Sequence, residues 1–332
     1  MADLRTTITE VVTGLGMCGS ADLDDVFAKR PASFVNVDED VWSEVCLAWK
    51  RRQHHDVFLA AWMNGRAFLT ARDGLRGRVP LVVEWTGAHR APGDEVVPAD
   101  LRVDHVYLVS CKYLSRIVVN ASPHHLFERL LMGGHGRRAG VDWFADVAPA
   151  EHAALYDAVR AADGGDLADN AAALTREQRR SLASRLRGDW PSVAAADRYQ
   201  ELVARVAEES ARRWSQALGD RAEAMLWRLL RIGSAPYFVL GVAQSGFLRL
   251  RIATPWDWRE QFTLRRFDVE PRTGGQPIVA WRASARRRDG EDVTAEGHVE
   301  IRWSHGRFCG PPEAKVYLDT PHRDVPGYFA LE

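Results

Sequence analysis

Six short runs in the last third of the chain, YFVLGVAQ, FLRLRIAT, FTLRRFDVE, IVAWRASARR, HVEIRWS and AKVYLD, limit the fold more than any other feature. Each is apolar or alternates apolar with polar residues, and turn residues separate them, which is the period-two pattern of strands. They begin after Pro236. The stretch before them, from about Ala148 to Arg231, is dominated by Ala, Arg, Leu and Glu at helical spacing, and Thr175 followed by Arg176-Glu177-Gln178 has the form of a capped helix start.

The first part of the chain mixes both patterns. Asp38 to about Gln53 is helical, with acids in its first turn and bases in its last, as the helix dipole favours. The segment HHDVFLAAWMNGRAFLTARDG fits helix or strand, with Asn64-Gly65 as a turn. Pro80 to Trp85 reads as a buried strand, and a second strand region runs from Ala99 to Tyr113 with Asp104 at a turn. Ser122-Pro123 opens a short helix, HHLFERLLM, with Ser122 as its cap, and the glycine-rich stretch Gly133 to Gly140 ends it. The expected class is therefore α/β. It comprises an α/β core over residues 1–147, a helical insertion over 148–232, and a β-rich part over 233–332 that can complete the same domain.

Composition narrows the function classes. A chain of 332 residues with 46% hydrophobic residues and 12 Trp can bury a substantial core, which argues against general disorder. Four widely spaced cysteines without a CxxC pair disfavour zinc and a disulfide framework. No apolar leader core and no uncharged apolar span of about twenty residues occurs, so the expected location is the cytoplasm, with no membrane partner. GxxxxGK[ST] and GxSxG are missing, and GLGMCGS near residue 14 does not lie between a clear strand and a helix.

The chemistry concentrates in PADLRVDHVYLVSCKYLS, Pro98 to Ser115. Asp100 heads an apolar run that ends in Lys112. Strand-forming residues between them can bring a carboxylate and an ammonium to one sheet edge, with Ser110 and Lys112 on the same face. There the acid can hold a hard cation and the lysine can stabilise a developing anion or orient a water, which suits metal-assisted phosphodiester cleavage.

This run resembles the core of the PD-(D/E)XK nuclease superfamily, the restriction-endonuclease-like fold. In that family a Pro-Asp motif on one strand precedes an acid-x-Lys motif on the next. Pro98-Ala99-Asp100 carries one intervening residue here, and Ser110-Cys111-Lys112 has serine in place of the second acid. A Ser-x-Lys variant of the family moves that acid to the following helix, where Glu128 stands; Glu84 on the preceding strand is the rival. Glu44 resembles the acid that members often carry on the helix before the core. The resemblance spans roughly Glu84 to Leu131. It implies a metal-dependent endonuclease acting on DNA, in a restriction or defence setting. Asp100 with Glu128 or Glu84 would hold Mg²⁺, with Mn²⁺ as a substitute, and Lys112 would position the attacking water. Two active sites in a homodimer would cut both strands.

Other features have nucleic-acid readings beside ordinary ones. Arg137 and Arg138 in the glycine-rich stretch, His125 at the helix start, and Arg286 to Arg288 could meet phosphates. Trp256, Trp258, Trp281 and Trp303 could stack on bases. Charge runs are more often solvated faces, and tryptophans at strand spacing are more often core. A metal role for His298, His305 and Glu300 fits less well than an alternating strand and turn. Two alternatives to the nuclease remain: a nucleic-acid-binding module that keeps the fold without the chemistry, and a structural or assembly protein.

Overall fold

The computed structural model describes residues 3–87, 99–114, 116–131, 142–163, 167–244 and 246–332. In chain order the elements are helices α1 (Leu4–Met17) and α2 (Leu23–Ala28), strand β1 (Phe34–Val35), and helices α3 (Glu39–Lys50) and α4 (His55–Thr70). Strands β2 (Val83–Trp85), β3 (Leu101–Val103), β4 (Tyr107–Tyr113) and β5 (Ile117–Ala121) follow, then a π-helical turn, His125–Leu130. Helices α5 (Trp143–Val147), α6 (Pro149–Asp163), α7 (Arg176–Arg185), α8 (Val193–Leu218) and α9 (Ala222–Leu229) come next. Strands β6 (Tyr237–Ala243) and β7 (Gly246–Ile252) lead to α10 (Pro255–Gln261). The chain ends in β8 (Phe262–Thr273), β9 (Pro277–Arg287), β10 (Asp292–Arg302), β11 (Glu313–Leu318) and β12 (Tyr328–Ala330). The protein is mixed α/β, and each of the six alternating runs after Pro236 forms a strand.

The chain divides into two compact units. The first comprises Met1–Arg116, Arg231–Gln261 and Pro321–Glu332; the second comprises Ile117–Leu230 and Phe262–Thr320. The units interleave along the chain because strand pairing, rather than local composition, decides membership. Composition changes at 147/148 and 232/233, where helical content rises and falls.

The first unit holds a seven-stranded mixed sheet in the order β1-β2-β3-β4-β6-β7-β12. β2, β3 and β4 form an antiparallel meander, and β6 then lies parallel to β4, with Cys111 beside Leu240 and Lys112 beside Gly241. The strand region read from Ala99 to Tyr113 is thus two strands. They are joined by a tight turn in which Asp104 and His105 both take left-handed backbone angles, and a two-residue turn of that hand matches strand twist.

Helices α1 and α4 pack on one sheet face. Ile8, Val11, Val12 and Leu15 of α1, with Phe58 and Phe68 of α4, bury against Val109, Cys111, Phe238 and Leu240. The expected turn at Asn64-Gly65 is instead the interior of α4. A Cβ on Gly65 would lie 2.1 Å from the Thr13 carbonyl oxygen of α1, so glycine here serves close helix approach. Asn64 is buried and donates to the Gly241 carbonyl at 3.0 Å while accepting from Arg249 at 3.0 Å, tying α4 to β6 and β7. Both residues resemble a turn signal but are tertiary contacts.

The second unit carries a five-stranded antiparallel sheet, β5-β11-β10-β9-β8. α8 lies on β8 and β9 and buries Tyr199, Leu202, Val203, Val206 and Trp214. Thr175 caps α7 with the reciprocal capping box its sequence predicts. Ser122 accepts from the His125 N–H at 3.2 Å, as a cap does, but the turn it opens is π-helical rather than α-helical.

Candidate functional site

In the first unit, the meander registers Leu101 with Val109 and Arg102 with Leu108. Asp100, one residue before Leu101, therefore stands across from Ser110. Its Oδ2 accepts from the Cys111 backbone N–H at 2.7 Å and from the Ser110 hydroxyl at 3.2 Å. Asp100 is 8% exposed and Ser110 is fully buried. Alternation along β4 puts Lys112 on the Ser110 face. Glu84 pairs with Arg102, which pairs with Leu108, so register assigns Glu84 to that face as well. Its Oε1 accepts from the Asn36 side chain at 2.8 Å. Ser110, Lys112 and Glu84 thus share one face of the sheet by register, opposite the α1–α4 core, and Asp100, just before β3, reaches the Ser110 hydroxyl with its carboxylate. Pro98 lies outside the described residues.

Gly241 beside Lys112 keeps β4 and β6 together, since a Cβ there would lie 2.0 Å from the Lys112 carbonyl oxygen. The Cys111 thiol is held well above its ordinary pKa by burial, with the Asp100 charge adding to the effect. His322, in the returning C-terminal segment of the same unit, is pushed toward its neutral form by burial and then by the charges of Lys112 and Arg116. Nothing in its sequence context marks it as a neighbour of Lys112.

Glu128 belongs to the second unit, and so do its neighbours. His124 and Glu128 sit four residues apart across the π-helical turn, and the His124 Nδ1 is 3.3 Å from the Glu128 Oε2. That contact lacks hydrogen-bond alignment. Neither His124 ring nitrogen has a hydrogen-bond partner among the described residues, although His124 is only 5% exposed. Asp146 of α5 completes the group, with one ligand atom from each of His124, Glu128 and Asp146 lying within 4.8 Å of the others.

The supports of this cluster are firm. The His124 ring meets Trp143 edge-on at 4.7 Å, Trp143 stacks on Phe127 at 5.4 Å, and its indole N–H donates to the buried Ser210 hydroxyl at 3.0 Å. Arg213 bridges the Asp146 Oδ2 at 3.2 Å and the Glu209 Oε1 at 3.1 Å. Glu209 is lowered from 4.5 to about 2, first by hydrogen bonding to Arg212 and also by hydrogen bonding to Arg213. The signal for this group was the i, i+4 spacing of His124 and Glu128 on one helical face. Asp146 carried no signal, because a different helix supplies it.

The remaining predicted contacts divide. His125 starts the π turn, half-buried, and Glu44 is exposed on α3. Arg137 and Arg138 lie outside the described residues. Arg286 is paired with Asp292 through two hydrogen bonds and Arg287 with Glu291, so both are already neutralised. Trp258 and Trp281 are core residues, Trp303 packs edge-on against Phe144 at 4.5 Å, and only Trp256 of the four is well exposed. His298 pairs with Asp319 and stacks on Tyr317. No helix among the described residues is long and apolar enough to cross a membrane.

No family model, no curated protein and no solved structure matches this chain.

Proposed function

We propose that the first unit carries a metal-dependent phosphodiesterase site acting on DNA, with Asp100 and Lys112 as its central pair. The observation that supports this reading is the shared face. Asp100 contacts Ser110, Lys112 follows two positions along the same strand, and Glu84 lies on that face of the next strand but one.

Asp100, Glu84 and the Ser110 hydroxyl offer only oxygen donors, the chemistry a hard cation such as Mg²⁺ takes. Asp100 and Glu84 would hold that ion, which when bound supplies charge neutralisation at a phosphoryl group. Lys112 places a fixed positive charge where a scissile phosphate and its attacking water would lie, and a preorganised charge at a developing anion is worth about 10²–10³ in rate. Ser110 holds the Asp100 carboxylate in orientation, and the Cys111 N–H fixes it further. Glu84 is taken as the second acid in this reading; Glu128, the other candidate, stands beside His124 and Asp146 in the second unit.

The test is plasmid DNA incubated with Mg²⁺ or Mn²⁺, comparing wild type with Asp100→Asn. Nicking or linearisation by the wild type, strongly reduced in the variant, supports the reading; equal cleavage by both removes Asp100 from the chemistry. A second reading, a DNA-binding module without cleavage, draws on the engagement of Asp100 Oδ2 by two protein donors. DNA retention without metal-dependent cutting by the wild type would favour it.

A further inference from the structure

The geometry of the second unit points to a distinct metal site. We propose that His124, Glu128 and Asp146 bind a divalent transition-metal ion, Zn²⁺ in the first instance.

The donor atoms already converge within 4.8 Å of one another without any rearrangement of the backbone. Acids alone would not carry the proposal; His124 does. His124 is 5% exposed and both ring nitrogens lack hydrogen bonds among the described residues, while its Nδ1 faces the Glu128 carboxylate at a distance and alignment that leave it unsatisfied. A buried polar group without a partner is costly, and native structures retain few of them. An ion between Nδ1 and the two carboxylates would satisfy the imidazole and offset the mutual repulsion of Glu128 and Asp146.

The donor set selects the ion class. One imidazole with two carboxylates is a mixed nitrogen and oxygen set, which favours Zn²⁺ over Mg²⁺ or Ca²⁺, and the site has no thiolate. Three protein ligands leave a fourth position for water or an incoming ligand, the pattern of reactive rather than structural zinc. The cysteine spacing disfavours zinc in the sequence; this set reaches it through an imidazole and two carboxylates instead.

The surroundings fit the assignment. Arg213 holds Asp146 through Oδ2, and ligating carboxylates are commonly hydrogen-bonded by such neighbours. Trp143 fixes the imidazole plane. The π-helical turn between His124 and Glu128 is a local departure from α geometry of the kind that recurs at functional sites.

The test uses the whole 332-residue chain, stripped with a chelator and titrated with ZnCl₂ by calorimetry, with Co²⁺ as a spectroscopic substitute. The expected result is a site of one ion per chain with micromolar or tighter affinity, and a visible d–d absorption band for Co²⁺ that Zn²⁺ abolishes. Glu128→Gln and His124→Phe should each weaken that site at least tenfold. Phenylalanine keeps a ring beside Trp143 while removing both nitrogens. Glu128 is partly exposed, so its variant reports binding even if the histidine variant fails to fold. Zn²⁺ binding equal in wild type and Glu128→Gln would overturn the proposal, as would full competition by an equal concentration of Mg²⁺. The site is independent of the nuclease reading: Lys112→Ala should leave the Zn²⁺ isotherm unchanged.

Discussion

Asp100 and Glu128 are both carboxylates to which the family resemblance gives a cation, and their surroundings differ in kind. Asp100 lies on a sheet face where a backbone N–H and a serine hydroxyl already donate to it. Glu128 faces a buried imidazole whose nitrogens have no hydrogen-bond partner among the described residues. The first carboxylate is preorganised by the protein; the second belongs to a group that is incomplete by its own hydrogen bonding. Preorganisation suits a residue that must hold one orientation through a reaction, whereas an unsatisfied convergent donor set is what a bound ion completes.

That contrast can be broken or sharpened by substitution. The largest expected effect comes from Asp100→Asn. The amide keeps an oxygen for the Cys111 N–H, so the fold should survive while the charge is lost. Metal-dependent cleavage should fall about 10²-fold or more, measured as plasmid nicking rate with circular dichroism as the fold control. Next is Glu128→Gln, whose effect should be confined to the second unit: at least tenfold weaker Zn²⁺ binding with DNA cleavage unchanged. A fall in cleavage equal to that of Asp100→Asn would instead make Glu128 part of the Asp100 chemistry.

A stability effect separates helix packing from the sites. Gly65→Ala places a methyl against the Thr13 carbonyl, and overpacking of this kind costs about 1–3 kcal/mol, measurable by denaturant unfolding. The same method should leave the Zn²⁺ stoichiometry untouched below the transition. The smallest effect is acid dependence. Glu209 has a folded pKa near 2 against 4.5 ordinarily, because Arg212 and then Arg213 hydrogen-bond its charged form. Its contribution to stability is full above about pH 5 and is lost as the pH falls through its folded value. Wild type should therefore lose more stability between pH 5 and pH 2 than Glu209→Gln, compared by urea unfolding across that range.

Much of the architecture was legible because its signals are local. Strands β6 to β11 follow from period-two alternation, the Thr175 capping box from four adjacent residues, and the Asp100–Ser110 neighbourhood from a meander whose strands adjoin in sequence. What escaped was non-local. β4 pairs with β6, and β5 with β11, across long intervening segments, so two sheets could not be separated by reading along the chain. Asn64-Gly65 carried the chemistry of a turn but answered to contacts with α1 and β6. His322 reaches the electrostatic neighbourhood of Lys112 only through the return of the C-terminal segment, and Asp146 meets His124 only through the packing of α5.

Lys112 offers the most direct test of the nuclease reading, since its side chain can be removed without unmaking a buried hydrogen bond of the meander. The measurement is the rate of Mg²⁺-dependent plasmid cleavage by wild type and Lys112→Ala at equal DNA occupancy, with chelator controls. The account predicts cleavage by the wild type that chelator abolishes, and a loss of about 10²-fold or more in the variant. Equal rates for the two proteins would contradict it.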